Sequence, residues 1–318
     1  MRLTKGPMIG RNSRPAGELE GGFVRVQGYR IYYETYGLPE KGTLLTVHGG
    51  PGLSSLHLRS LADLAKFGYR VVLYDQCGGG RSDRPGDYSQ LTFRYIVREV
   101  ENVRRALHLG RVHLLGYSNG GAVVAEAALQ YPRSWKSLVL SSPSIGIPES
   151  RATFSKMVSR LPRKAREFWT RKNPKIDDLK NPKWRERYEV FERMRMCRLR
   201  VKPYELVACD EGLNMKAHAA IMSSLRDYDG PSKRYDVTPR LGALHLPCLI
   251  TVGRHDMFTP AYARALSHRI PRSKVVIFER SAHEANWEER GRYVKILHQF
   301  LDGISRKGRS NKGLNTST

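Results

Sequence analysis

The sequence predicts an α/β fold, a mostly parallel sheet with helices on both faces and an inserted helical cap, and three observations carry that prediction. Between residues 23 and 147 short continuous apolar runs alternate with helical patterns; from 148 to 235 that alternation stops and the chain turns charged and helical; from 236 to 303 it resumes. Continuous apolar strands are buried on both faces, the arrangement that arises when right-handed crossovers set a helix against each side of a parallel sheet.

Residues 1–22, rich in Gly, Arg and Pro, read as a flexible N-terminal arm. "FVRVQGYRIYYETYG" alternates about Gln27-Gly28 and predicts two paired strands, Phe23–Val26 and Tyr29–Tyr36. The apolar runs Leu44–Val47, Val71–Tyr74, Val112–Leu115 and Ser137–Leu140 predict buried strands. Helical spacing runs through Ala62–Phe67, Phe93–Leu109 and Ala122–Tyr131, the last stopped by Pro132. Together these form the first part of the core, 23–147. In the cap, 148–235, the aromatic residues Phe168, Trp169, Trp184, Tyr188 and Phe191 are the expected packing anchors. The second part of the core, 236–303, supplies "CLITVG" as a strand, "PAYARALSHRI" as a helix, "KVVIF" as a strand and "WEERGRYVKILHQFL" as a closing helix. Residues 304–318, with "RKGRSNKG", read as a basic disordered tail.

A chain of 318 residues, 40% hydrophobic, is long enough for one large core with an insertion. No stretch approaches the roughly 18 consecutive apolar residues of a membrane span, and the N-terminus has no apolar signal region. A cytoplasmic protein is expected. Cys77, Cys197, Cys209 and Cys248 are scattered without ligand spacing, so neither a metal nor a disulfide framework is expected, and no cofactor motif is present. The net charge of +25 is concentrated between Arg151 and Lys202 and after Ile304. Nucleic-acid binding through cap and tail is open on charge alone, but no nucleic-acid motif accompanies it, and a solvated basic face is the expectation.

Gly116-Tyr117-Ser118-Asn119-Gly120 fits G-x-S-x-G between a strand and a helix, the place where a sharp turn exposes a nucleophile. A serine hydroxyl is a weak nucleophile and needs a base to take its proton and an acid to orient that base. Asp256 in "TVGRHDMFTP" and His283 in "ERSAHEANWEE" follow later strands in the order Ser, Asp, His, at the carboxyl ends where open α/β sheets keep their sites. His113 lies inside a strand and reads as a core histidine, and His255 as a neighbour of Asp256 that faces elsewhere. "HGGPG", His48 to Gly52, follows another strand. A backbone N–H there, at Gly50, and one after the nucleophile, at Asn119, are the expected oxyanion donors.

These stretches, with "TVHGGPGLSS", "LYDQCGGGRSDRP", "GYSNGGAVVAEAALQYP" and "SAHEANWEE", resemble the prolyl aminopeptidase (proline iminopeptidase) family of α/β-hydrolases over about residues 23 to 145 and 240 to 302. The resemblance implies an α/β-hydrolase fold, a Ser118–His283–Asp256 triad, an oxyanion hole at Gly50 and Asn119, a cap over the pocket, and release of an N-terminal proline or small residue from short peptides or amides. Asp75 and Arg81 are then structural. Peptidases of that family hold the substrate amine with acidic side chains from the cap, in some members with an acid directly after the triad aspartate. Here that residue is Met257, and "LNMKAHAAIM" carries no acid; Glu205, Asp210 and Glu211 are the nearest candidates. A carboxylesterase, amidase or lactonase for substrates without a free amine is the alternative, and a non-catalytic binding protein on the same fold a more remote one.

Overall fold

A computed structural model of the chain describes residues 19–171, 174–222 and 231–313. Residues 1–18 of the expected arm, 314–318 of the expected tail, and 172–173 and 223–230 of the cap lie outside the described residues.

Among the described residues eight strands form one sheet: β1 Leu19–Val26, β2 Tyr29–Tyr36, β3 Gly42–Val47, β4 Tyr69–Tyr74, β5 Val112–Tyr117, β6 Trp135–Ser141, β7 Cys248–Gly253 and β8 Ser273–Phe278. Their order is β1-β2-β4-β3-β5-β6-β7-β8, antiparallel at β1/β2 and β2/β4 and parallel from β4 through β8. The central strands β5 and β7 are buried along their whole length, which is why their sequences lack polar alternation.

One face is covered by α1 Phe93–Ala106, α2 Gly120–Gln130 and the later helix Pro260–Arg269, which place Val97, Val100, Val123 and Leu266 in the larger apolar cluster. The other is covered by a 3₁₀ segment, Ser55–Phe67, and the closing helix Arg290–Gly313, through Leu58, Leu61, Leu64, Tyr293, Leu297 and Leu301. Caps define the helix starts: the Thr92 hydroxyl accepts from the Tyr95 N–H at 3.2 Å, and Thr259 does the same for Tyr262 at 3.4 Å.

Three expected boundaries move. β1 begins at Leu19, four residues before Phe23, because its backbone pairs with β2 back to Leu19↔Tyr36; Glu20-Gly21-Gly22 carries no apolar alternation, and ladder hydrogen bonds need none. The Ala62–Phe67 helix is the end of a longer 3₁₀ segment whose buried residues begin at Ser55. The closing helix runs on to Gly313, so residues 304–313 are helical where a disordered tail is expected; the stretch continues an established helix and has no proline to stop it.

The cap is helical: α3 Ile147–Ser159, α4 Arg163–Trp169, α5 Pro182–Phe191, α6 Tyr204–Glu211 and α7 Met215–Ile221. A bridge between Gly146 and Asp236 brings its two ends together at the sheet. Phe154, Phe168, Trp169, Tyr188 and Phe191 pack edge-on at centroid distances of 4.7–6.2 Å and form its interior. Part of its basic surface is internally paired: Arg187 with Glu167 at 2.6 Å and Lys164 with Glu186 at 2.5 Å.

Candidate active site

β5 ends in a turn that places Ser118 at φ 53°, the left-handed region, before α2 begins. Three hydrogen bonds hold this strained backbone: Ser118 N–H donates to Ser141 O at 2.9 Å, and Ser118 O accepts from Gly121 and Ser144 N–H, each at 2.9 Å. A Cβ on Gly116 would stand 2.3 Å from Gly120 O, and one on Gly120 would stand 2.5 Å from Val47 O, so both positions flanking the serine require glycine. The G-x-S-x-G pattern is thus the sequence image of a turn in which backbone touches backbone.

Asp256 and His283 come from the loops after β7 and β8. Those loops are tied to each other by Arg254 N–H to Phe278 O at 2.8 Å and His255 N–H to Ser281 O at 3.0 Å. His283 Nδ1 lies 2.9 Å from Asp256 Oδ1, which also accepts from Phe258 N–H at 2.9 Å. Both side chains are buried. Burial disfavours a charged imidazole, but the Asp256 carboxylate, with Glu284 beyond it, outweighs burial and raises the His283 pKa above its ordinary value. The cap takes part as well: Met196 O accepts from the N–H groups of His283 and Glu284 at 3.0 and 3.1 Å, so a cap residue holds the histidine loop.

Ser118, His283, Gly50 and Asn119 line one cavity of about 410 Å³. Gly50 sits at φ 48°, and among the described residues neither its N–H nor that of Asn119 has a hydrogen-bond acceptor. Phe154, Trp169, Phe191, Met222, Met257 and Phe258 give the cavity an apolar wall. Among the described residues three carboxylates also reach it: Glu192, Asp210 and Glu211. Glu205 does not line the cavity. Glu192 has no mark in the sequence, because it is aimed inward by a turn of π-helix, Glu192–Met196, that continues α5.

Sequence reasoning also missed His57 and the Tyr117–Glu284 pair. His57 lines the cavity with Nε2 3.5 Å from Asp210 Oδ1; burial opposes its charge, yet Cys209, Glu284 and Asp210 raise its pKa well above the ordinary value. Tyr117 OH donates to Glu284 Oε1 at 2.7 Å. His113 is a buried core residue, its Nδ1 2.8 Å from Ser137 Oγ, and burial lowers its pKa to about 3. Asp75 accepts from Ser55 N–H at 2.7 Å and Arg81 N–H at 2.9 Å, stitching the Asp75–Ser82 loop to the start of the 3₁₀ segment.

A strand-to-helix serine, a hydrogen-bonded histidine and aspartate on two later strand ends, and a glycine loop opposite them define an α/β-hydrolase of the serine type. Residues 42–290 match the family model described as the alpha/beta hydrolase fold. The proline iminopeptidase of Saccharolobus solfataricus is 34% identical over 292 residues, 90% of this chain and 93% of that one, and that of Thermoplasma volcanium 32% identical over 293 residues, 91% and 99%. The crystal structure of a proline iminopeptidase from Mycobacterium smegmatis superposes with a TM-score of 0.82 at 23% identity, over 91% of this chain and 100% of that one. The chain belongs to the prolyl aminopeptidase-like family of α/β-hydrolases and is a hydrolase of that kind. Among the described residues no helix is long and apolar enough to cross a membrane.

Proposed function

We propose that this enzyme releases an N-terminal proline or small residue from short peptides and amides through an acyl-enzyme on Ser118. His283 Nε2 takes the Ser118 proton as Oγ attacks the carbonyl, and Asp256 holds Nδ1–H and stabilises the imidazolium. The Gly50 and Asn119 N–H groups receive the oxyanion, His283 returns the proton to the leaving amine, and water then releases the acyl group by the same route. The observation that carries this reading is that one cavity is lined by Ser118, by His283, which Asp256 holds from behind at 2.9 Å, and by the carboxylates Glu192, Asp210 and Glu211. Those carboxylates supply, from other positions, the acidic partners for a substrate ammonium that Met257 does not. A buried ammonium left without one would be penalised by several kcal/mol.

The apolar wall favours a second reading, hydrolysis of esters, amides or lactones without a free amine. Steady-state rates on a proline arylamide, its N-acetylated counterpart and short acyl esters separate the two. Turnover of the free-amine substrate with little of the acetylated one supports the peptidase reading; turnover of esters alone refutes it. A cytoplasmic setting belongs to the same proposal, and the four unpaired, buried cysteines support it.

A further inference from the structure

The carboxylates that face the cavity are reached from their other side by a cation of the protein's own. Lys202, in the loop before α6, donates to Glu192 Oε1 and, at 3.2 Å, to Asp210 Oδ2, yet it does not line the main cavity. The other oxygen of Asp210 is 3.5 Å from His57 Nε2, so both oxygens of this carboxylate already face a nitrogen of the protein, one of them the Lys202 ammonium. Behind the main cavity a hollow of about 30 Å³ is lined by Glu192, Lys202, Asp210 and Glu284, and it shares Glu192 and Asp210 with the cavity wall. Glu284 Oε2, buried in the same place, has no hydrogen-bond partner among the described residues. A site that presents carboxylates forward and is filled with an ammonium from behind is already partly neutralised before any substrate arrives.

We propose that Lys202 is a specificity-determining residue: its ammonium competes from within for Glu192 and Asp210, and so sets how strongly substrates with a free amine are preferred over substrates without one. The assignment rests on the amine-binding reading of these carboxylates given above. Charge explains the direction. With Lys202 in place a substrate ammonium must share Glu192 and Asp210 and is repelled by the nearby cation; an amine-free acyl group meets a site whose negative charge is partly balanced. Taking Lys202 away leaves the carboxylates to the substrate.

The test is the ratio of kcat/KM for a proline arylamide to kcat/KM for a short acyl ester, measured at pH 8 on the full chain. K202M is expected to raise that ratio about tenfold, chiefly by lowering KM for the arylamide, an effect of the size one removed charge has in a partly solvated site. K202R, which keeps the charge, is expected to hold the wild-type ratio, and D210N to lower it. Thermal unfolding reports whether each variant is folded, and K202Q decides the matter on the same ratio if K202M is not. A folded K202M or K202Q whose ratio is unchanged or lower overturns the assignment. Failure of the wild type to turn over the arylamide at all overturns instead the peptidase reading on which it rests.

Discussion

Replacing Asp256 by asparagine keeps the shape of the residue and removes the charge that His283 faces. The two groups are in contact, Nδ1 to Oδ1 at 2.9 Å, with both side chains buried. With charge centres about 4 Å apart and an effective dielectric of about 20, an imidazolium formed in the transition state loses about 4 kcal/mol of stabilisation, close to 10³ in rate. The amide can also turn its NH₂ toward Nδ1 and favour the wrong tautomer, so the expected fall in kcat is about 10³ to 10⁴. A second readout is independent of that magnitude. His283 must be neutral to act as base, and Asp256 holds its pKa above the ordinary value, so wild-type activity is lost as pH falls through that raised pKa. In D256N the lowering effect of burial is opposed by Glu284 without Asp256, and the acid limb of the kcat/KM profile moves to lower pH. The assay is a pH series of kcat and kcat/KM on the best substrate of the panel. A kcat within tenfold of wild type, or an acid limb that does not move, would refute the pairing.

Further expectations follow from single residues. Ser118→Gly removes the nucleophile and relieves the backbone at φ 53°, so it should abolish turnover while raising stability by up to about 1 kcal/mol; a lower Tm would show that no strain is stored there. Gly49→Ala would bring its Cβ to 2.6 Å from Ser118 Cβ and 3.0 Å from Tyr117 O, and is expected to slow fluorophosphonate labelling about a hundredfold with a lower Tm; wild-type labelling would contradict the packing. Glu99 is buried on α1, and burial lifts its pKa to about 8, with Cys77 N–H at 3.1 Å only partly offsetting this. Between roughly pH 4.5 and 8 the unfolded chain has released that proton and the native state keeps it, so stability falls as pH rises through this window. E99Q removes this dependence and should be more stable than wild type by about 1–3 kcal/mol at pH 8, with little difference at pH 5, in urea titrations; parallel pH dependences would exclude it.

Legibility in the sequence tracked how local the determining physics is. The strand runs, the glycines about Ser118 and the order Ser118, Asp256, His283 are dictated by backbone contact and by the sheet, and both leave marks on residue type. β1 back to Leu19 left none, since ladder pairing there involves Glu20 and two glycines rather than apolar alternation. The acidic wall was legible only in part. Asp210 and Glu211 were candidates by proximity, whereas Glu192 depends on a π-turn and Lys202 on the packing of its loop against α5 and α6, and neither has a local signature. His57 was invisible because its role comes from Asp210, 153 residues away in the chain, meeting it across the cavity.

The most direct test of the central claim is covalent. The purified enzyme, treated with a fluorophosphonate, digested and analysed by mass spectrometry, is expected to carry one adduct on the peptide containing Ser118, with turnover of the proline arylamide lost in proportion to labelling. An enzyme that keeps its turnover while Ser118 is fully labelled, or that loses it with the adduct on another residue, would contradict the account.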